Sequence, residues 1–207
     1  MPGTAHLSEY FSEVAALAAR VDLAAIDGLA GRLAALRDRG GRLFVLGVGG
    51  GAGHASHAVN DFRKLCRIES YAPTDNVSEL TARTNDDGWD TSLSGWLSVS
   101  RLGPADAVFV FSVGGGSRRH AVSLNLVEAI EMARRVGASV YGVVGAPGGT
   151  LAEMADLSVV IDAPDHLRTP LVESFQAVVW HALVSHPDLA AAAGHWEQVL
   201  GRAAEGT

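Results

Sequence analysis

The feature that most constrains this fold is a pattern that occurs twice, in which a short apolar run leads into a glycine-rich turn and then a helical stretch. The first copy is residues 42–47 (RLFVLG) with the turn at residues 47–53 (GVGGGAG). The second is residues 107–112 (AVFVFS) with the turn at residues 112–117 (SVGGGS). Short apolar runs that end in turn signals are typical of buried parallel strands. The two copies therefore predict an α/β protein with a parallel sheet.

The remaining periodicity extends this alternation along the whole chain. Residues 7–36 have apolar side chains at helical spacing with a break near Asp22, which predicts two amphipathic helices before the first strand. Similar patterns predict helices at residues 52–65, 123–136, 170–185 and 187–200, a short helix after Gly149, and strands at 139–144 and 157–161. With no linker or repeat array in the sequence, we expect a single domain over residues 1–207.

Composition excludes several classes of protein. A formal net charge of −7 argues against a general nucleic-acid surface, which needs clustered Lys and Arg. The one cysteine, Cys66, has no disulfide partner in the chain, and no signal-like segment precedes the first helix. The apolar runs are well short of the roughly 20 residues needed to cross a bilayer. We therefore expect a cytoplasmic protein that binds neither nucleic acid nor membrane.

Both glycine turns are candidate phosphate-binding sites, because glycine lets backbone N–H groups approach an anion at a helix N-terminus. The first turn alone fits the G-x-G-x-x-G/A dinucleotide fingerprint. The second turn adds the hydroxyls of Ser112 and Ser117, which can bond phosphate oxygens. Two such turns at strand carboxyl ends favour a sugar-phosphate crevice. A nucleotide cofactor, or turns with no ligand role, are the alternatives.

Two side chains with proton-transfer chemistry follow the first turn. His57 and Asp61 are four residues apart, so they lie on one face of the predicted helix.

The order of elements and both turns resemble the sugar isomerase (SIS) fold, and more closely the phosphoheptose isomerases. That family's first turn reads G-N-G-G-S and leads into a helix with a His and a Glu four residues apart, which His57 and Asp61 match. Its S-T-S-G-N-S phosphate loop falls on residues 112–117, and its N-D pair falls on residues 85–86. Its C-terminal helix has Gln and His eight residues apart, and apolar positions align these with Glu173 and His181.

The resemblance implies a three-layer αβα sandwich with a five-stranded parallel sheet. It also implies a homotetramer in which residues 1–40 pack between subunits. Asp61 and His181 would be the two proton carriers of an aldose–ketose isomerisation. Zinc would be held by His57, Asp61, Glu173 and His181. The implied substrate and phosphate ligands are Gly49, Gly50, Gly51, Asn85, Asp86, Ser112, Gly114, Gly115, Gly116, Ser117 and Glu173.

The expected reaction is conversion of sedoheptulose 7-phosphate to D-glycero-D-manno-heptose 7-phosphate, or a closely related heptose phosphate, for nucleotide-heptose or natural-product sugar biosynthesis. A non-catalytic SIS protein that binds a sugar phosphate or a partner is the alternative. The sequence departs from the family at Asp61, which is one methylene shorter than the family Glu, and at Val113 and Gly114, which lack hydroxyls. Trp180 beside His181 leaves a one-residue shift of the alignment open.

Overall fold

The computed structural model describes residues 2–195 and 198–199. Along them the helices are α1 (Pro2–Arg20), α2 (Leu23–Asp38), α3 (Gly50–Cys66), α4 (Val77–Asp86), α5 (Ser92–Val99), α6 (Leu124–Arg135), α7 (Gly149–Met154) and α8 (Arg168–Val184). The strands are β1 (Leu43–Gly47), β2 (Ser70–Tyr71), β3 (Ala107–Ser112), β4 (Ser139–Gly145) and β5 (Leu157–Ile161). None of these helices is both long enough and apolar enough to span a bilayer.

The five strands form one parallel sheet in the order β2-β1-β3-β4-β5. In the central pair, Leu43 lies opposite Ala107 and Gly47 lies opposite Phe111. From β1 the chain passes through α3 to β2 on one side, and from β3 it passes through α6 to β4 on the other. The carboxyl ends of β1 and β3 are therefore a topological switch point, where open α/β sheets form their ligand crevice.

Helices cover both faces of the sheet, each over its own apolar core. One core joins α2, α3 and α8 to the sheet and contains Phe62, Phe109, Phe111 and Trp180. The other joins α5, α6 and α7 to the opposite face around Phe44. Burying each of these large side chains stabilises the fold by about 2 to 3 kcal/mol. The predicted three-layer αβα architecture is confirmed.

The expected strands 42–47, 107–112, 139–144 and 157–161 are confirmed to within a residue or so. The break at Asp22 is confirmed as well, because its carboxylate accepts the Ala25 N–H and caps α2. Periodicity missed β2, which is two residues long, and α4, which buries none of its side chains.

The predicted helix at residues 187–200 is wrong over residues 187–194, which form turns and irregular backbone. Alanines in this stretch favour a helix, but the N–H groups of Ala191 and Ala192 donate to the carbonyl of Leu65 at the end of α3. These tertiary bonds replace the helical ones. Residues 196, 197 and 200 of the predicted helix lie outside the described part of the chain.

Candidate functional site

The contact between α3 and α8 brings three of the predicted site residues together. Asp61 Oδ2 lies 3.5 Å from His57 Nε2 and 3.7 Å from His181 Nε2. One ligand atom from each residue can be chosen so that all three lie within 4.8 Å of one another. Asp61 is buried, with 8% of its surface exposed, whereas both imidazoles are more than half exposed. The carboxylate of the cluster is therefore in the protein interior, and its two imidazoles are accessible from solvent.

Trp180 forms the floor of this cluster. Its indole N–H donates to Asp61 Oδ2 at 3.2 Å, and Asn60 Nδ2 donates to the other carboxylate oxygen at 3.0 Å. The buried indole also packs against both imidazoles, with ring centroids 5.3 Å from His57 and 4.7 Å from His181. His181 is therefore the residue of this pair whose imidazole lies beside the Asp61 carboxylate in the cluster. Trp180, the neighbour that a one-residue shift of the alignment would have placed there, instead packs against the two imidazoles and donates a hydrogen bond to Asp61.

The hydrogen bonding of His181 determines which of its nitrogens is free. Its Nδ1 lies 2.8 Å from the Ala177 carbonyl oxygen, which can only accept, so Nδ1 carries the proton. Nε2 then presents its lone pair toward Asp61. Metal-binding histidines are oriented in this way, with the far ring nitrogen donating to a backbone carbonyl. Two imidazoles and one carboxylate with an open side fit a catalytic Zn²⁺ site.

The structure places Glu173 away from these three residues. It precedes His181 by eight residues, which corresponds to roughly 12 Å along α8. Its carboxylate lies against the first glycine turn, where a Cβ added at Gly50 would approach the carboxylate oxygens to 2.6 Å. A carboxylate is favourable there because the N-terminus of α3 carries partial positive charge. Of the predicted four-residue metal set, three members are brought together and Glu173 is not.

A cavity of about 350 Å³ opens between the two glycine turns, at the carboxyl ends of β1 and β3. Among the residues that the structure describes, its lining includes one ionisable side chain, Glu173, and no Lys or Arg. A phosphate in this cleft would therefore be held by hydroxyls and backbone N–H groups. The lining residues are Val48, Gly51, Phe111, Ser112, Val113, Gly114, Val122, Ser123, Leu126, Glu173 and Gln176.

The second glycine turn is rigidly supported. Ser112 Oγ accepts the N–H of Gly115 at 2.9 Å, which leaves the hydroxyl proton of Ser112 able to donate to a ligand. Gly115 and Gly116 have φ values of 74° and 76°, which glycine adopts without strain. Their carbonyls accept the first N–H groups of α7, at Leu151 and Thr150. The turn is thus preformed, with Ser112 and Gly114 lining the cleft.

Seven predicted ligands lie outside the cleft lining and outside the histidine cluster: Gly49, Gly50, Gly115, Gly116, Ser117, Asn85 and Asp86. Ser117 Oγ accepts the N–H of His120, and the backbone of Ser117 pairs with Val122 to close a short hairpin beside the cleft. Asn85 and Asp86 lie at the end of α4, where the Asn85 amide donates to the Asp86 carboxylate at 2.7 Å. Their ligand roles stay predictions.

Sequence reasoning missed Ser123 and Gln176, which both line the cleft. Ser123 stands immediately before α6 with φ 48° and makes no capping bond through its side chain. Its position before a helix was the signal that could have identified it, because serine is a common N-cap residue. Gln176 is one helical turn after Glu173 and shares its side of α8.

Cys66 takes no part in either site. It is fully buried beneath α3 and α8, and burial raises the pKa of its thiol to about 12. A thiol with that pKa stays protonated at neutral pH and is neither a nucleophile nor a metal ligand.

Similarities to known proteins agree with this geometry. No family model matches the chain. The sequence is 33% identical over 164 residues to a phosphoheptose isomerase of Rhodospirillum rubrum, covering 77% of this chain and 82% of that protein. It is 37% identical over 159 residues to the lincomycin biosynthesis protein LmbN of Streptomyces lincolnensis, covering 71% of this chain and 56% of that longer protein.

Among solved structures, a phosphoheptose isomerase from Francisella tularensis superposes with a TM-score of 0.78 at 20% identity, covering 89% of this chain and 97% of that one. At that identity the superposition establishes the shared fold. The sequence match, which extends over four-fifths of the Rhodospirillum rubrum protein, establishes the relationship. The chain belongs to the phosphoheptose isomerase family.

Proposed function

We propose that this chain isomerises sedoheptulose 7-phosphate to D-glycero-D-manno-heptose 7-phosphate. The observation that carries the proposal is the buried carboxylate of Asp61, which faces two accessible imidazoles at 3.5 and 3.7 Å. An aldose–ketose isomerase needs a base at carbon and a second group at oxygen, and this cluster offers both. The similarity to LmbN favours the supply of a natural-product sugar as the setting.

The cleft supports a phosphate site without a cation. Ser112 and Ser123 carry hydroxyls, Gly114 carries a backbone N–H, and all three residues line the same cavity. The cavity also lies at the N-terminus of the 12-residue helix α6, whose partial positive charge favours an anion. Glu173 would repel a phosphate placed beside it, so we assign the phosphate to the Ser112 side of the cleft. Glu173 would then accept from sugar hydroxyls.

The proton transfers follow from the two groups facing the reacting carbons. With His181 as the imidazolium, which carries a second proton on Nε2, Asp61 removes a proton from C1 of the open-chain ketose while His181 Nε2 donates its proton to the C2 carbonyl oxygen, which gives an enediol. Asp61 then returns its proton to C2, and His181 takes the proton of the C1 hydroxyl as the C1 aldehyde forms. Protons balance over the cycle, and both groups return to their starting states. The Trp180 N–H keeps the Asp61 carboxylate oriented throughout.

When His181 is neutral, with its proton on Nδ1, the same three side chains fit a divalent cation, because the lone pair of Nε2 is then free to bind it. His57, Asp61 and His181 would hold it, and when bound it would supply Lewis acidity that stabilises negative charge on the sugar oxygens. We expect purified protein to bind one zinc ion per chain by elemental analysis. His57→Ala should lose the ion. His166→Ala is the matched control, since His166 pairs with Glu9 at the surface and should leave metal content unchanged.

The direct test of function is NMR of the purified protein incubated with sedoheptulose 7-phosphate. The proposal predicts an aldoheptose 7-phosphate from the wild type, either in its zinc-loaded form or after the metal has been removed. Absence of product under both conditions would contradict it. Saturable binding without product would instead support the non-catalytic alternative.

A further inference from the structure

We propose that Gln176 is a substrate-binding residue whose side-chain N–H donates to a hydroxyl or carbonyl oxygen near the middle of the sugar chain. The inference rests on the function proposed above and adds a contact to it. Gln176 has no solvent-exposed surface, yet it is one of the residues that line the cleft between the glycine turns. Within the described residues its Nε2 has no hydrogen-bond partner.

A buried donor without an acceptor is costly, because it has lost its bonds to water and gained none in return. The amide oxygen of Gln176 is already used: it lies 2.9 Å from His54 Nδ1. Because an amide oxygen only accepts, His54 donates from Nδ1, and the NH₂ group is left as the unused end of the Gln176 side chain. An oxygen-bearing ligand in the cleft would satisfy the free N–H.

His54 is itself held in place by the apolar floor of the site. Its ring lies 6.2 Å from Phe111 and 5.1 Å from Trp180, centroid to centroid. Trp180 is also the donor to Asp61. The orientation of Gln176 and that of the proton-transferring carboxylate therefore depend on the same packed wall, and His54 acts as a positioning residue for Gln176.

The position of Gln176 along α8 identifies the part of the substrate it would contact. It follows Glu173 by three residues and precedes His181 by five, which corresponds to roughly 4.5 Å and 7.5 Å along the helix axis. Glu173 lines the cleft to which we assign the phosphate, and His181 lies beside Asp61, the other proton carrier. Gln176 stands between them. It would therefore contact the hydroxylated carbons between the phosphate and the reacting C1–C2 pair.

The experiment compares two substitutions of Gln176. Together they distinguish donation of a hydrogen bond to the substrate from a role limited to orienting His54. Gln176→Glu keeps an oxygen that accepts from His54 but replaces the donor that faces the cleft. Gln176→Met removes both polar atoms at similar volume. For sedoheptulose 7-phosphate we expect KM to rise about tenfold in both variants, the loss of one hydrogen bond, with kcat changed much less. If Gln176 only orients His54, Gln176→Glu will keep the wild-type KM and the inference is overturned.

Asn125 provides a matched control. Like Gln176 it is fully buried with an amide nitrogen that lacks a partner in the described structure, but its side chain does not line the cleft. Asn125→Ala should leave KM within about twofold of the wild type, since no ligand contact is lost. An equal rise in KM in this variant would attribute the effect to general loosening and overturn the inference.

Failure of the inference and failure of the proposed function give different results. Wild-type protein that neither turns over nor binds sedoheptulose 7-phosphate by calorimetry would contradict the function, and the inference with it. Wild-type turnover together with wild-type KM in both Gln176 variants would overturn the inference alone. Circular dichroism identifies a variant that fails to fold, and in that case the remaining substitution decides.

Discussion

Two aspartates in this molecule are almost equally buried but differ in how their oxygens are used. Asp106 precedes β3, is 4% exposed, and accepts from the backbone N–H of Arg42 and of Gly103 at 3.0 Å and from the Arg42 guanidinium at 2.8 Å. Asp61 is 8% exposed and accepts one indole and one amide N–H. Its two imidazole neighbours, at 3.5 and 3.7 Å, are too distant for good hydrogen bonds.

The difference indicates what each carboxylate is for. Burial would raise the pKa of Asp106, but the hydrogen bonds from Arg42 and Gly103 outweigh burial and hold its pKa below the ordinary value. Asp106 thereby fastens the amino ends of β1 and β3, and its bonding capacity is used within the protein. Asp61 is also buried, but in the described part of the chain each of its carboxylate oxygens accepts only one hydrogen bond. The carboxylate can therefore accept further bonds, and it lies next to two accessible imidazoles. We therefore propose that Asp106 stabilises the fold and that Asp61 acts on a ligand.

The largest expected effect is on catalysis at Asp61. Asp61→Asn keeps the shape and an acceptor for Trp180 but removes the base, so we expect kcat/KM for sedoheptulose 7-phosphate to fall about 10³-fold. The thermal midpoint should change by only a few degrees. Retained activity in Asp61→Asn, or a loss of activity explained by loss of folding, would contradict the functional role that the comparison gives to Asp61.

The second effect is on stability at Asp106. Asp106→Asn removes the ion pair with Arg42 and weakens several charge-assisted hydrogen bonds, so we expect about 2 kcal/mol less free energy of unfolding in urea titrations. Activity measured well below the thermal midpoint should stay close to that of the wild type. A large loss of kcat/KM with unchanged stability would reverse the roles assigned here.

The pH dependence of stability sharpens the same contrast. A carboxyl whose folded-state pKa is lowered contributes stability that is complete above its unfolded pKa, about 3.9, and is lost as pH falls through the folded value. The difference in unfolding free energy between wild type and Asp106→Asn should therefore be constant from about pH 7 to pH 5 and shrink below about pH 4. A difference that grew toward acid pH would contradict the sign of the shift.

The smallest effect concerns the one hydrogen bond that Asp61 receives from the floor of the cluster. Trp180→Phe keeps an aromatic ring but removes the N–H that orients Asp61 Oδ2. We expect kcat to fall about tenfold with little change in KM, because orientation of the base is lost while substrate contacts remain. Unchanged kcat would show that packing alone holds the carboxylate.

Much of the fold was predictable because its signals are local. The runs at β1 and β3 are wholly buried and end in glycines, and the predicted bounds of β3 agree with the structure residue for residue. The two-residue β2 is too short to show a period, and α4 has no buried face to reveal it. The backbone conformation of the segment after α8 is set by hydrogen bonds to Leu65. Leu65 is more than a hundred residues earlier in the chain, and helix propensity takes no account of such distant partners.

The candidate site was predictable where spacing implies proximity. His57 and Asp61 share a helical face, and family resemblance paired them with His181, which the structure brings alongside. Glu173 lies on the same side of α8 as His181. Two turns of helix separate the two residues along the helix axis, so sharing a side does not bring them into contact. Gln176 gave no chemical signal, because its importance depends on burial and on the unused N–H that only the packing reveals.

The most direct test of the central claim is to run the reaction in D₂O and follow C1 and C2 of the sugar phosphate by NMR, in the wild type and in Asp61→Asn. The account predicts that deuterium enters at these carbons in the wild type and that incorporation falls about 10³-fold in the variant. Turnover or deuterium exchange at the wild-type rate in Asp61→Asn would contradict proton transfer by this carboxylate, whereas aldoheptose phosphate formed by the wild type without deuterium would show that the proton removed from C1 is the one returned to C2.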